Sequence, residues 1–202
     1  MRRRAAGARL VGVDEAGRGP LAGPGVVAAV ALPEEPSAEL RGARDSKLMT
    51  PKGRERLFGV IISEAVVSVA WAYPKEIDEL NILAATLAAM GRAASRVAVK
   101  SGGGPVLVLV DGPHPIRNFM LPQKPVIDGD AKSLSIAAAS IVAKVVRDRW
   151  MERLNRRHPG YGFAQHKGYG TKQHLAALDR LGVTKAHRLT YAPVSLRALV
   201  VK

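Results

Sequence analysis

The sequence predicts an α/β protein in which a sheet lies between helices. Three observations carry that prediction. Short apolar segments of strand character are mixed with longer segments of helical spacing. VLVLV at 106–110 is an unbroken apolar run, as expected of a strand buried on both faces. The stretch from Lys132 to His158 carries the longest helical pattern in the 202 residues. No internal repeat or linker divides the chain, whose length suits one domain able to bury a core.

The elements follow in order. RLVGV at 9–13 reads as a strand, stopped by Gly17, Gly19 and Pro20, and VVAAVAL at 26–32 as a second, closed by the loop at 33–36. Thr50-Pro51 is a helix start, a capping hydroxyl followed by proline at the first helical position. That helix runs into the 60s, where VVSVAWAYP becomes a strand ended by Pro74. From Asn81 to about Val99, Ile82, Leu83, Thr86, Leu87 and Met90 recur at helical spacing, and SGGGP then breaks the chain. The strand at 106–110 ends at Asp111-Gly112-Pro113. In the helix from 132 to 158, two apolar stripes make the first half apolar nearly all round, so that half is expected to be deeply buried. Its second half turns basic; Lys144, Arg147 and Arg149 there are candidates to track phosphates or form a solvated face. YGFAQHKGYG reads as a loop, and Thr171 to Leu181 as a last amphipathic helix.

Composition narrows the partners. Lys and Arg number 31 against 17 Asp and Glu, a net charge of +14, and such a field predicts affinity for polyanions. Nucleic acid is the commonest of these, with a membrane surface or a solubility role as alternatives. At 47% hydrophobic residues the chain is not generally disordered. It has no cysteine, which excludes disulfides, thiol catalysis and Cys-ligated zinc and fits a reducing compartment. No apolar run approaches membrane-spanning length, and the basic N-terminus meets Asp14 and Glu15 too soon for a signal peptide. A soluble, cytoplasmic protein is the expectation.

Against this basic background, acids sit at strand ends. Asp14 and Glu15 close the first strand and Asp111 closes the strand at 106–110, where ligands of open α/β sheets bind. Neighbours on a strand point to opposite faces, so Asp14 and Glu15 converge only if the chain turns there, which Ala16-Gly17-Arg18-Gly19 permits. Asp130 lies at the start of the long helix, a position that tolerates an acid. Carboxylates gathered together repel unless cations intervene, and oxygen-only ligation favours Mg²⁺ or Mn²⁺. Singly, these acids read as a strand-end turn, an ordinary turn and a helix cap. Their joint occurrence in a basic chain shifts the balance toward a metal site. His158, His166, His174 and His187 read as too scattered for zinc, and His166 receives no role. Ser135 and Ser140 read as structural. GRGPLAGPG lacks the Lys-Ser/Thr that ends a nucleotide-binding P-loop.

VGVDEAGRGPLAGP at 11–24, DSKL at 45–48, VLVDG, GDAKSLSIAAASIVAKVVRDR, YGFAQHKGYGT and HRLTYAPV at 187–194 together resemble bacterial ribonuclease HII, in that order. The resemblance implies a ribonuclease H-like mixed sheet flanked by helices, in a single catalytic domain over 1–202 whose last part, roughly 150–202, is a C-terminal helical substrate-binding extension. It implies an endoribonuclease that cleaves RNA in RNA–DNA hybrids and nicks DNA duplexes 5′ to embedded ribonucleotides, using two divalent ions and leaving 3′-OH and 5′-phosphate ends. The family's catalytic, metal-binding acids fall on Asp14, Glu15, Asp111 and Asp130. Its substrate-sensing turn falls on Gly17, Arg18 and Gly19, its sugar-stacking tyrosine on Tyr169, and a phosphate-contacting lysine on Lys47. Position 128, often basic in relatives, is Asp128 here. Asp130 is the acid that matches the Gly-Asp pair, and Asp128 reads as a solvent-facing substitution. The expected protein is a monomer, with a sliding clamp as a candidate partner at the C-terminal tail. The rival readings are a structure-specific DNA nuclease of the same fold and a non-catalytic nucleic-acid-binding module.

Overall fold

In this computed structural model residues 7–43 and 49–199 are described. Five strands form one mixed sheet in the order β3-β2-β1-β4-β5. They are β1 (Arg9–Ala16), β2 (Gly25–Ala31), β3 (Val66–Ala72), β4 (Val106–Asp111) and β5 (Gln123–Val126). β1 runs antiparallel to β2 and parallel to β4; β2–β3 is antiparallel and β4–β5 parallel. The expected α/β architecture with a mixed sheet flanked by helices is what forms.

One face of the sheet is covered by α4 (Ile82–Lys100), packed on Val11, Val13, Val27, Ala29, Val108 and Val110. α4 corrects the expectation that no apolar run approaches membrane-spanning length: it is long and apolar enough to cross a membrane by those two measures alone. Its apolar stripe, including Ala85, Met90, Ala93 and Val97, is instead buried in the core. Asn81 caps it, accepting from the Ala84 N–H at 3.0 Å.

The other face carries α2 (Pro51–Glu64) and α6 (Leu134–Arg157) over Ala28 and Val30. Thr50 caps α2 as expected, accepting from the Gly53 N–H at 3.1 Å. Small residues let α6 lie close: a Cβ added to Gly12 of β1 would stand 2.2 Å from the Ser135 carbonyl carbon. The helix expected from about 132 to 158 forms as α6, but Asp130, expected at its start, lies in a separate turn before it. Ser133 is extended (φ −134°, ψ 122°) and separates a single turn, α5 (Gly129–Lys132), from α6.

Several elements have no strong periodic signal and are new: α1 (Ala38–Arg41), α3 (Pro74–Leu80), β5, and α9 (Ala192–Ala198). Pro74 does more than end a strand, since it opens α3 at the first helical position. The expected 160s loop contains a helical turn, α7 (Phe163–His166), followed by α8 (Lys172–Leu181) capped by Thr171. The C-terminal elements share a third core, in which Met151, Tyr161, Phe163, Leu178 and Val194 pack with Leu21 and Ala22 from the loop after β1. Edge strand β3 has its outer carbonyls covered: Arg92 donates to the Trp71 carbonyl at 2.8 Å and Arg96 to that of Val69 at 3.3 Å, which blunts an edge otherwise open to pairing.

Candidate active site

β1 and β4 are parallel neighbours with Val13 opposite Val110, so Asp14 and Asp111 are the next residues along adjoining strands. Their side chains belong to the α6 face, because Val13 and Val110 point into the α4 core. Asp14 is 5% exposed. Its carboxylate accepts the Glu15 N–H at 2.6 Å and the Ser140 hydroxyl from α6. Burial raises its pKa well above the ordinary carboxylate range, and the charges of Glu15 and Asp111 raise it further.

Glu15 does not turn onto the same face as Asp14. β1 continues through Ala16, paired with Val26, so the alternation persists. Glu15 lines a narrow cleft with Arg18, Asp111, His114 and the α4 residues Thr86 and Met90. Asp111 also accepts the Gly129 N–H at 2.8 Å, which brings the start of α5, and Asp130 directly after it, to the end of β4. Gly129 packs closely there: a Cβ would stand 2.5 Å from Ile136 Cδ1 and 2.9 Å from the Asp111 oxygen, so both side chains would have to shift. Asp130 is half-buried, whereas the Asp128 side chain is 77% exposed, beside Lys132 at 3.9 Å.

The donor set is all oxygen, and its mutual repulsion is what a hard divalent cation relieves. Among the described residues, no group of three or more acids or histidines is close enough to hold a metal ion as it stands. The all-oxygen chemistry of the strand-end acids suits a hard divalent cation such as Mg²⁺ or Mn²⁺.

The glycine-arginine-glycine turn borders this cleft. Gly17 adopts φ +97°, and a Cβ on it would lie 1.9 Å from Arg147 Nε. The Arg18 guanidinium is 3.4 Å from the Glu15 carboxylate. Gly19 faces the half-exposed Tyr169 ring, whose Cε1 lies 3.7 Å from the Cβ position. The Leu21 N–H donates to the Gly168 carbonyl at 2.8 Å and ties the tyrosine loop to the turn. Lys47 lies outside the described residues.

Arg147 departs from its expected place on a phosphate-tracking or solvated face. It is 1% exposed and donates to the carbonyls of Ala22, Pro24 and Lys167. Burial, then the charge of Arg188, lowers its pKa to about 10. Arg188 is likewise fully buried beneath the turn. Neither position carries a sequence signal that separates it from a surface arginine.

The histidines are also not scattered. His166 stacks on His174 with centroids 4.5 Å apart, and His174 and His187 share a 3.2 Å contact between their Nε2 atoms. Their partners assign the protons. His166 Nε2 donates to the Tyr161 carbonyl while its Nδ1 accepts the Gly168 N–H; His174 Nδ1 donates to the Tyr169 carbonyl. His187 Nδ1 accepts the Thr184 N–H, so its Nε2–H donates to His174. With every ring nitrogen engaged the trio is a neutral support for the 168–170 loop, not a metal site.

This support is pH-sensitive. Burial, then the charge of His174, pushes His187 down to about 4, and burial lowers His174. A histidine depressed from about 6.5 in the unfolded chain is stabilising above that pH, and its contribution is lost as pH falls toward the folded value. Acidification from pH 7.5 to 5 should cost about 2 kcal/mol through His187 alone, a fall of ~4–8 °C in melting temperature. Melting curves across that range test this, and His187→Gln should remove that part of the slope.

The sequence model of the family described as Ribonuclease HII matches residues 11–194. A curated ribonuclease HII from Maricaulis maris is 50% identical over 186 residues, 92% of this chain and 83% of the relative. The solved PCNA:RNase HII complex from Archaeoglobus fulgidus superposes with a TM-score of 0.71 at 27% identity, covering 91% of this chain and 95% of that one. Bst-RNase HIII in complex with Mn²⁺ shares the fold, with a TM-score of 0.80 at 18% identity over 96% of this chain and 70% of that one.

Proposed function

The chain belongs to the ribonuclease HII family, and from that premise we propose that it nicks DNA duplexes on the 5′ side of embedded ribonucleotides as well as acting on longer hybrids. It is a divalent-metal-dependent ribonuclease H, an enzyme of RNA–DNA hybrid cleavage.

The observation that carries the finer reading is the juxtaposition of two features. Asp14 and Asp111 end adjoining parallel strands, and beside them the Gly17-Arg18-Gly19 turn faces Tyr169. Asp14, Glu15, Asp111 and Asp130 would hold Mg²⁺ or Mn²⁺. When bound, two such ions lower the pKa of the attacking water and stabilise the departing 3′ oxygen. The protein itself supplies orientation. Asp14 is held by the Glu15 N–H and the Ser140 hydroxyl, and Asp111 by the Gly129 N–H. The backbone of Gly17 to Gly19 can approach a sugar 2′-OH closely, and Arg18 adds a fork for phosphate. The Tyr169 ring offers a face on which a sugar or base can stack. Lys47 is assigned to backbone phosphate, and the segment after 150 to substrate binding within one catalytic domain. The enzyme works as a cytoplasmic monomer in ribonucleotide excision repair, with a sliding clamp as the partner to test at the C-terminal tail.

The test is an end-labelled duplex containing one ribonucleotide, incubated with Mg²⁺ or Mn²⁺ and with EDTA. Cutting 5′ to the ribonucleotide, with 3′-OH and 5′-phosphate ends and none in EDTA, is the expected result. Equal cutting of an all-DNA duplex would overturn it, as would full activity in EDTA.

A further inference from the structure

Two side chains far along the chain donate hydrogen bonds to the carbonyls of the turn. Arg188 donates through Nη2 to the Gly17 carbonyl at 2.6 Å and through Nη1 to the Arg18 carbonyl at 2.7 Å. Its Nε and Nη2 also reach the Gly23 carbonyl, at 3.1 and 3.0 Å. The Tyr191 hydroxyl accepts from Arg188 Nη1 at 3.1 Å and donates to the same Arg18 carbonyl at 2.7 Å. The segment bearing both is itself anchored. Asp78 of α3 accepts the Leu189 and Thr190 N–H groups at 3.0 and 2.9 Å, and the Arg188 N–H donates to the Leu21 carbonyl at 2.9 Å.

A buried guanidinium is costly to keep unless its donors are satisfied, and here backbone carbonyls and a phenol satisfy them. The consequence lies on the other side of each peptide. In a trans peptide the N–H points opposite to the C=O. Pulling the Gly17 and Arg18 carbonyls inward therefore turns the N–H groups of Arg18 and Gly19 outward. Among the described residues neither N–H donates to a protein acceptor. Tyr169 is a neighbour of both the clamp and the turn: it lies within electrostatic reach of Arg188, and its Cε1 is 3.7 Å from the Gly19 Cβ position.

We propose that Arg188 and Tyr191 are positioning residues for ribonucleotide selection: they clamp the carbonyls of the turn so that its two outward N–H groups meet the 2′ oxygen of the substrate. This rests on the reading of the turn as the 2′-OH sensor. Lysine cannot replace Arg188, because a single ammonium lacks the fork that spans two carbonyls.

The test compares Tyr191→Phe and Arg188→Lys with wild type on three duplexes that differ at one nucleotide: ribose, 2′-fluoro or deoxyribose. Tyr191→Phe removes one hydroxyl from a half-buried ring, so it should keep the wild-type melting temperature and all-DNA duplex affinity. Its kcat/KM on the ribonucleotide duplex should fall about tenfold, and its preference for ribose over 2′-fluoro should shrink with it. Arg188→Lys should lose roughly a hundredfold. If Arg188→Lys does not fold, Tyr191→Phe decides alone. Variants that keep the wild-type ribose preference, or that lose ribose and 2′-fluoro cleavage and all-DNA duplex affinity in parallel with stability, overturn the clamp alone. A wild-type enzyme that itself ignores the ribose overturns the sensor reading and the clamp together.

Discussion

Asp14→Asn is expected to lower kcat on a ribonucleotide-containing duplex by a factor on the order of 10³, the equivalent of about 4 kcal/mol of transition-state stabilisation, with duplex binding retained. Asparagine is nearly isosteric, and its carbonyl oxygen can still accept the Glu15 N–H and the Ser140 hydroxyl that hold the native side chain. What disappears is a buried negative charge beside Glu15 and Asp111. Two readouts separate this from a folding defect. Without divalent ions the variant should melt at or above the wild-type temperature, because a repulsive buried charge has been removed. Adding Mg²⁺ or Mn²⁺ should raise the wild-type melting temperature and leave the variant less affected, since a ligand stabilises only the fold it binds. Retained cleavage in Asp14→Asn would remove Asp14 from the catalytic group.

Gly12→Ala is expected to cost about 3 kcal/mol, or ~6–12 °C in melting temperature, despite adding one methyl group. The new Cβ would lie 2.2 Å from the Ser135 carbonyl carbon, 2.3 Å from the Ile136 nitrogen and 2.4 Å from the Ser135 oxygen. These are backbone atoms at the start of α6, which no rotamer change can move aside. The helix must shift, and with it Ser140, the hydroxyl partner of Asp14 on the same face of β1. Activity per folded molecule should therefore fall as well. Gly59→Ala in α2 is the control: nothing lies within 4 Å of its Cβ position, so the better helix former should leave stability unchanged or raised. Equal melting of Gly12→Ala and wild type would show that α6 does not press on β1.

The legible elements are those whose signal is local. VLVLV forms β4 where expected, although only its Val106, Val108 and Val110 face is fully buried and Leu107 and Leu109 are half-buried. Thr50-Pro51 and Thr171 announce helix starts that the structure contains. The illegible ones lack such a pattern. β5 is four residues with a proline, and α3 and α9 are each seven residues long and have only a proline to mark them. The break at Ser133 hides inside an otherwise continuous helical pattern, since one extended residue barely alters its spacing. The strand-end acids stood out in the sequence because carboxylates in such positions of a basic chain are unusual. Their orientation was not legible. A turn at Glu15 was expected, but pairing of Ala16 with Val26 keeps β1 straight and sends Glu15 to the α4 side.

Read alone, the chain determined its α/β class, the course of its main strands and helices, the family it resembles and the acids at its strand ends. These follow from periodicity, caps and motifs written within a few residues of one another. Tertiary structure alone decided which charges are interior. Arg147 and Arg188 look like any other arginines in a basic sequence until the carbonyls that receive them, 123 residues away for Pro24 and 171 for Gly17, come into view. The three histidines became one cluster, joined by a ring stack and a hydrogen bond, for the same reason. Burying a charge or an imidazole is tolerable only when partners meet its donors and acceptors, and here those partners come from distant parts of the chain.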